Sequence, residues 1–294
     1  MTTLPDCQVP GLHHYKLGDI LVTAVSDGFL RGSMTVLQNI TEADSSAMLR
    51  AAFRPAPRHT SLNCFLIRSG GRTALIDTGA GAHMQASAGK LQQNLAAAEV
   101  APEAIDTVLL THMHPDHSNG LADAKGSAFF PAAELAMHEA EYAYWCEDTG
   151  AEAAVTASNR GVPYFAMARS QAAPYRDRLK LFRGGEVFPG VTALHFPGHT
   201  PGHSGFLVTS GSESLLIWGD IVHVPEVQVP RPEVTMQYDV DPAQAEATRR
   251  RVFDMVATDG QHIAGMHLHF PGTAHLAREG GGYRLHPDAW RFEI

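Results

Sequence analysis

The chain has no run of about 18 consecutive apolar residues, so it holds no segment able to span a bilayer as a helix. Cysteine is scarce. Three widely spaced residues, Cys7, Cys64 and Cys146, support neither a disulfide framework nor a Cys-x-x-Cys zinc site, and they read as reduced structural thiols. Positive charge is in deficit, with 22 Lys and Arg against 31 Asp and Glu, a formal net charge of −9. The one basic run, Arg249-Arg250-Arg251, falls inside a predicted helix and reads as its solvated face. Nucleic acid is therefore disfavoured as a partner, because binding it needs a basic surface. The beginning, MTTLPDCQVPGLHHYKLGD, lacks the basic start and apolar stretch of a signal peptide, so the cytoplasm is the expected location. Linkers rich in Pro, Gly or Ser and a Gly-x-Ser-x-Gly nucleophile elbow are missing too.

What is present is a core-forming composition, 44% hydrophobic over 294 residues, and an unusual 17 histidines. Short strand patterns alternate with helical ones, which favours a layered α/β architecture in one domain, residues 1–294. DILVTAVSDG (19–28) reads as a first strand ending in a turn. FLIRSGGRTALIDTG (65–79) and FLVTSGSESLLIWGD (206–220) form a weak internal repeat, each a strand, a Ser-Gly turn, a second strand and a terminal Asp. Helices are predicted over 87–100 and over 241–260, the latter from its Asp-Pro start to Gly260. The stretch 146–180 lacks strand periodicity and is expected to be an insertion or a lid.

The densest chemistry lies in THMHPDHSNG, Thr111 to Gly120. Residues two apart on an extended backbone face one side, so His112 and His114 can reach one ion together. Asp116 and His117 follow Pro115, where the chain must turn, and can face a second ion. Neutral imidazole and carboxylate are natural ligands of zinc and its neighbours. A lone His-x-His is weak evidence, whereas His-x-His-x-Asp-His after an apolar run is far more specific. Further donors stand at other strand ends: His195, His199 and His203 in HFPGHTPGHSG, Asp220 after LLIWG, and His267 and His269 in MHLHFPG.

Together these motifs resemble the metallo-β-lactamase superfamily, from LGDILVTAVSDG to FPGTAHL, and in detail its methyl parathion hydrolase branch, near the quorum-quenching lactonases. The resemblance implies an αββα sandwich, two mixed β-sheets flanked by helices, with two divalent metals along the shared edge. Zinc is the first expectation, although such ligands also accommodate Mn, Fe or Co. Carried over by motif, His112, His114 and His199 would hold one metal, Asp116, His117 and His267 the other, and Asp220 would bridge both. His267 is preferred over His269 because that branch carries a non-ligand where His269 stands. His203 and Asp77 would support ligands without touching metal, and His195, His13, His14, His59, His83, His138, His262, His275 and His286 read as surface or satisfied core residues.

The chemistry so implied is hydrolysis by a metal-bridging hydroxide, with Asp116 also shuttling a proton to the leaving group. His223 stands three residues after Asp220, where lactonase relatives place a Tyr that touches the substrate carbonyl, so it leans toward lactone or ester chemistry. Met236 and Tyr238 would line the same pocket, with Tyr142, Trp145, Tyr164 and Phe165 as further candidates. The expected substrate is a small, hydrophobic, neutral lactone or aryl ester, with an organophosphate triester as the alternative. A metal-loaded structural or regulatory protein is the non-enzyme reading, disfavoured because every ligand position is filled. Relatives of this branch imply a homodimer.

Overall fold

The computed structural model describes residues 8–147, 152 and 163–294. Seven strands form the first sheet in chain order: β1 (Leu12–Leu17), β2 (Ile20–Gly32), β3 (Arg58–Ser69), β4 (Arg72–Ile76), β5 (Thr107–Leu109), β6 (Glu134–His138) and β7 (Leu179–Phe182). The second sheet holds β8 (Gly185–Phe188), β9 (Val191–His195), β10 (Ser204–Ser210), β11 (Glu213–Ile217), β12 (Ile263–Ala264), β13 (Thr273–Glu279) and β14 (Gly282–Pro287), again as neighbours in chain order. Both halves share one plan. An antiparallel hairpin, β3–β4 or β10–β11, is followed by a helix and then a strand parallel to the hairpin's second strand. The registers agree as well, Phe65 pairing with Ile76 and Phe206 with Ile217, so the weak internal repeat in the sequence is a repeat of structure.

Strand alternation sorts the side chains into layers. Phe65, Ile67, Ala74 and Ile76 point inward and meet Phe206, Val208, Leu215 and Ile217 of the other sheet. Cys64, Leu66 and Leu75 point outward, under α1 (Leu91–Ala97) and α2 (Tyr164–Ala172). On the opposite face Leu216, Trp218 and Ile263 lie beneath Val252, Phe253 and Val256 of α3 (Pro242–Asp259). Two mixed sheets flanked by helices make the αββα sandwich. Emptying the space of one such central ring, as in Phe206→Ala, costs about 3–5 kcal/mol. No helix among the described residues is long and apolar enough to cross a membrane.

Two local readings need correction. The first strand does not end at Asp27-Gly28: β2 continues to Gly32, and Asp27 is the extra residue of a bulge between Ser26 and Gly28. An Asp-Gly pair looks like a turn, but here Gly28 has φ +95° and a Cβ would lie 2.1 Å from the Ser87 carbonyl oxygen. The basic run is not wholly solvated either. Arg249 is 1% exposed, and it donates from Nε to the Ile221 carbonyl (2.7 Å) and from Nη1 to those of Pro232 and Val234 (2.9 Å each). It ties α3 to the turn that carries Asp220. The stretch expected as an insertion or lid falls partly outside the described residues, which omit 148–151 and 153–162; its later part contains α2, packed into the core through Phe165 and Ala168.

The bulge has a use. Asp27 turns its carboxylate inward and accepts the backbone N–H of Ala80 (2.8 Å), Gly89 (3.2 Å) and Leu91 (2.8 Å), pinning the 79–91 segment over the sheet. Burial pushes this carboxyl up to about 6 despite those donors. An acid whose folded value exceeds its unfolded one withdraws stability as pH rises between the two, here from about 4 to about 6. Asp27→Asn abolishes that dependence. Its Tm deficit against the unaltered protein is expected to be larger at pH 4 than at pH 7, and a pH-independent deficit would contradict the assignment.

Candidate metal centre

The expected donors stand where β-strands end along one edge of the sandwich. Asp77 follows β4, the His112–His117 run follows β5, His199 follows β9, Asp220 follows β11 and His267 follows β12. Such strand ends converge because neighbouring strands stop at the same level, leaving their following turns side by side. His112, His114, His117, His199, Asp220 and His267 are all buried. Asp116 keeps 18% of its side chain exposed, toward the cavity.

Two sets of ligand atoms gather there. In the first, His114 Nδ1 lies 2.9 Å from His199 Nε2 and 3.0 Å from His112 Nε2, and the two Nε2 atoms are 3.2 Å apart. In the second, Asp116 Oδ2 lies 3.5 Å from His267 Nε2 and 3.7 Å from His117 Nε2. Asp220 Oδ2 faces both, 3.6 Å from His112, 3.4 Å from His199, 3.2 Å from His117 and 3.1 Å from His267.

This geometry fits divalent cations and is poorly explained without them. Three ring nitrogens within 3.2 Å of one another cannot all present lone pairs without a cation between them, since none would then have a proton to offer the others. His117 Nε2 and Asp220 Oδ1 are buried and have no hydrogen-bond partner. Burial first, then the adjacent imidazoles, keeps His112 and His114 well below the ordinary value, so both are neutral and have a lone pair to give. Around Asp220 the imidazoles outweigh burial and hold its carboxyl well below the usual range.

The outer ring nitrogens are fixed from behind. His117 Nδ1 donates to Asp77 Oδ2 at 2.7 Å, His199 Nδ1 to Asp239 Oδ1 at 2.6 Å, and His267 Nδ1 to the Ser61 carbonyl at 2.9 Å. Each bond sets a tautomer that turns Nε2 toward the centre. Asp77 also accepts the amide (2.8 Å) and hydroxyl (2.7 Å) of Thr111. His203 donates from Nδ1 to the Phe196 carbonyl (2.8 Å) and its Nε2 accepts the Asp220 amide (2.8 Å). Gly219 makes this approach feasible: at φ +63° a Cβ would lie 2.4 Å from His203 Nε2.

Other expected residues divide. His223 is buried with Nε2 3.0 Å from Asp220 Oδ2, its ring stacked on that of His267 (5.2 Å, 25°), and its Nδ1 lacks a hydrogen-bond partner; with His199 and Asp220 it forms a further group of converging ligand atoms. It lines the cavity with Tyr164 and Tyr238. Met236 does not: it is fully buried in a separate cluster with Leu37, Leu49 and Val234, because its two-residue strand pairs with Leu37–Gln38 and turns the side chain away. Trp145 lies under His114, ring centroids 5.4 Å apart, Phe165 is core, and Tyr142 packs against that same core. His269 points away from the centre, one third exposed, and pairs with Glu226 at 2.5 Å. A separate trio, His262, His275 and Asp288, gathers on another face, but its two imidazoles stack parallel (10°, 4.8 Å), so their lone pairs run side by side instead of converging.

Two carboxylates at this centre had no sequence signal, Asp239 and Glu141. Glu141 is fully buried and takes four donors. Its Oε1 accepts Met113 N (2.8 Å) and Trp145 Nε1 (2.6 Å), and its Oε2 accepts Thr200 Oγ1 (2.6 Å) and Gly202 N (3.0 Å). It thus couples the loop carrying His112 and His114 to the one carrying His199. Glu141→Gln turns an amide N–H onto two of those donors, and metal affinity measured by competitive chelation is expected to fall roughly 10- to 100-fold. An unchanged affinity would leave Glu141 with no part in ligand placement.

The model of the family described as Metallo-beta-lactamase superfamily matches residues 58–281. A crystal structure of hydrolase AbOPH in the beta lactamase superfamily superposes with TM-score 0.90 at 33% identity, covering 97% of this chain and 100% of that one. AidC, a dizinc quorum-quenching lactonase in complex with a homoserine-type product, superposes with TM-score 0.88 at 23% identity, covering 96% and 99% of the two chains. An uncharacterized protein of Bacillus subtilis (strain 168), YobT, is 29% identical over 161 residues, 54% of this chain and 61% of that protein's length.

Proposed function

The chain belongs to the metallo-beta-lactamase superfamily, and from that premise we propose that it is a dinuclear metal hydrolase that opens a small lactone or aryl ester. The observation that carries this reading is the pair of buried ligand sets meeting at Asp220 beneath a largely apolar cavity of about 170 Å³. His112, His114 and His199 would hold one cation, Asp116, His117 and His267 the other, and Asp220 both. Two divalent cations so held supply a nucleophile from water at neutral pH and draw charge from the oxygen under attack. The residues do the rest. Asp77, Asp239 and the Ser61 carbonyl keep the imidazoles oriented. Asp116, the more exposed of the two carboxylates lining the cavity, takes the proton and returns it to the departing alkoxide.

Lactone and ester chemistry is favoured over phosphotriester chemistry by His223. Its imidazole lines the cavity with Nε2 3.0 Å from Asp220 Oδ2, close enough to the ligand sets for the ring to donate to a carbonyl oxygen or a leaving alkoxide. The sequence motifs put the chain near the methyl parathion hydrolase branch, so phosphotriester hydrolysis is the second reading. The test compares kcat/KM of the zinc-loaded protein on an aromatic lactone and on a dimethyl aryl phosphotriester, with a chelated control. A lactone preference of roughly tenfold or more, about 1.4 kcal/mol in transition-state binding, is expected. A phosphotriester preference would reverse the ranking. Zinc content without turnover of either substrate would favour a non-catalytic role.

A further inference from the structure

We propose that Arg58 is the receptor for a carboxylate on the substrate, so that the ester or lactone cleaved here is an anion and not the neutral molecule the sequence suggested. This rests on the hydrolase reading and narrows its substrate class. Arg58 opens β3 and is only 7% exposed, and it lines the cavity that holds Asp116, Asp220 and His223. Among the described residues its side chain makes one hydrogen bond, from Nη1 to Thr60 Oγ1 at 2.6 Å. Its Nε is buried with no partner, and no carboxylate among the described residues forms an ion pair with it.

A second buried arginine shows what is missing. Arg249 is 1% exposed and spends its donors on three backbone carbonyls. Arg58 has no such set, and a buried charge without partners is costly enough that proteins rarely keep one idle. Gly32 gives the guanidinium its place, since a Cβ there would stand 2.8 Å from Arg58 Cζ.

Among the described residues the acids of this cavity are Asp116 and Asp220, both of which the proposed metal centre would use, while Arg31 adds a second cation at the rim. Leu30, Met84, Tyr164 and Tyr238 make up the apolar part of the same lining. The free edge of a guanidinium is a planar fork that matches a carboxylate with two parallel bonds. The cavity therefore suits a compact acyl or aryl group with the scissile carbonyl at the metals and a carboxylate at Arg58.

The test uses the zinc-loaded protein and a matched pair of esters, para-nitrophenyl hemiglutarate and the neutral para-nitrophenyl hexanoate. The unaltered protein is expected to prefer the anionic ester by roughly tenfold or more in kcat/KM, most of it in KM. Arg58→Met should bring the ratio close to one, and Arg58→Lys should keep part of it, because the charge remains but the fork is lost. Binding of glutarate by calorimetry provides a readout that needs no turnover. Binding that is lost in Arg58→Met and retained in part by Arg58→Lys upholds the proposal even if neither ester is cleaved, an outcome that would count against the ester reading alone. Equal kcat/KM on the two esters together with glutarate binding that ignores Arg58 would overturn it.

Discussion

Replacing Asp220 by Asn is expected to lower kcat/KM by at least ~10³-fold, about 4 kcal/mol of transition-state stabilisation, and to reduce bound metal below two ions per chain. The substitution nearly preserves shape while removing the charge and replacing one acceptor oxygen by an amide N–H, so the effect is read as loss of an anionic ligand. Asp220 Oδ2 lies within 3.6 Å of the Nε2 atoms of His112, His117, His199, His223 and His267, and it is the oxygen shared by both ligand sets. An amide cannot bridge two cations with comparable strength. Zinc raises the Tm of a protein that binds it in the folded state, in proportion to the logarithm of ligand concentration over Kd. That rise should be several degrees smaller in Asp220→Asn. A variant that kept two ions and full activity would remove Asp220 from the centre.

The second large effect separates two neighbours. His267→Ala is expected to lose the second cation and to cut kcat/KM by roughly 10²- to 10³-fold, whereas His269→Ala keeps both ions and stays within about threefold. His267 is buried, its Nε2 facing Asp220 and Asp116 and its Nδ1 bonded to the Ser61 carbonyl. His269 is partly exposed and turned onto Glu226, which also takes Arg54 Nε at 2.9 Å. Metal content by mass spectrometry on both variants decides, and the opposite pattern would exchange their roles.

Legibility followed chain proximity. The His112–His117 run was readable because its donors are local and because an apolar strand leading into them fixes their direction. Asp220 and Asp77 were readable for a similar reason, each ending a hairpin of the same repeated design. Glu141 was not. Its four donors lie on residues 4 to 61 positions away, and the surrounding HEAEYAYW looks like any helix start. Met236 misled because a resemblance of position says nothing about which face of a two-residue strand is turned inward.

The arginines show the same limit from both sides. Arg249 sits in a basic run on a helix, where composition suggests solvent, yet tertiary packing buries it against carbonyls from two turns. Arg58 gave no sign at all, being one of two arginines in RPAPRHTSL, at the start of a strand. Only the folded arrangement brings it into a cavity whose acids are otherwise committed. Asp27 belongs here too: an Asp-Gly turn signal and a bulge residue clamping a distant loop are identical in sequence.

The measurement that reaches the central claim most directly is a zinc titration of the chelated protein, followed by lactone hydrolysis and by bound metal per chain. With two ligand sets sharing Asp220, activity should be near zero without metal and should reach its plateau at two equivalents of zinc. A plateau at one equivalent, or full activity in the chelated protein, would contradict a dinuclear centre as the source of catalysis.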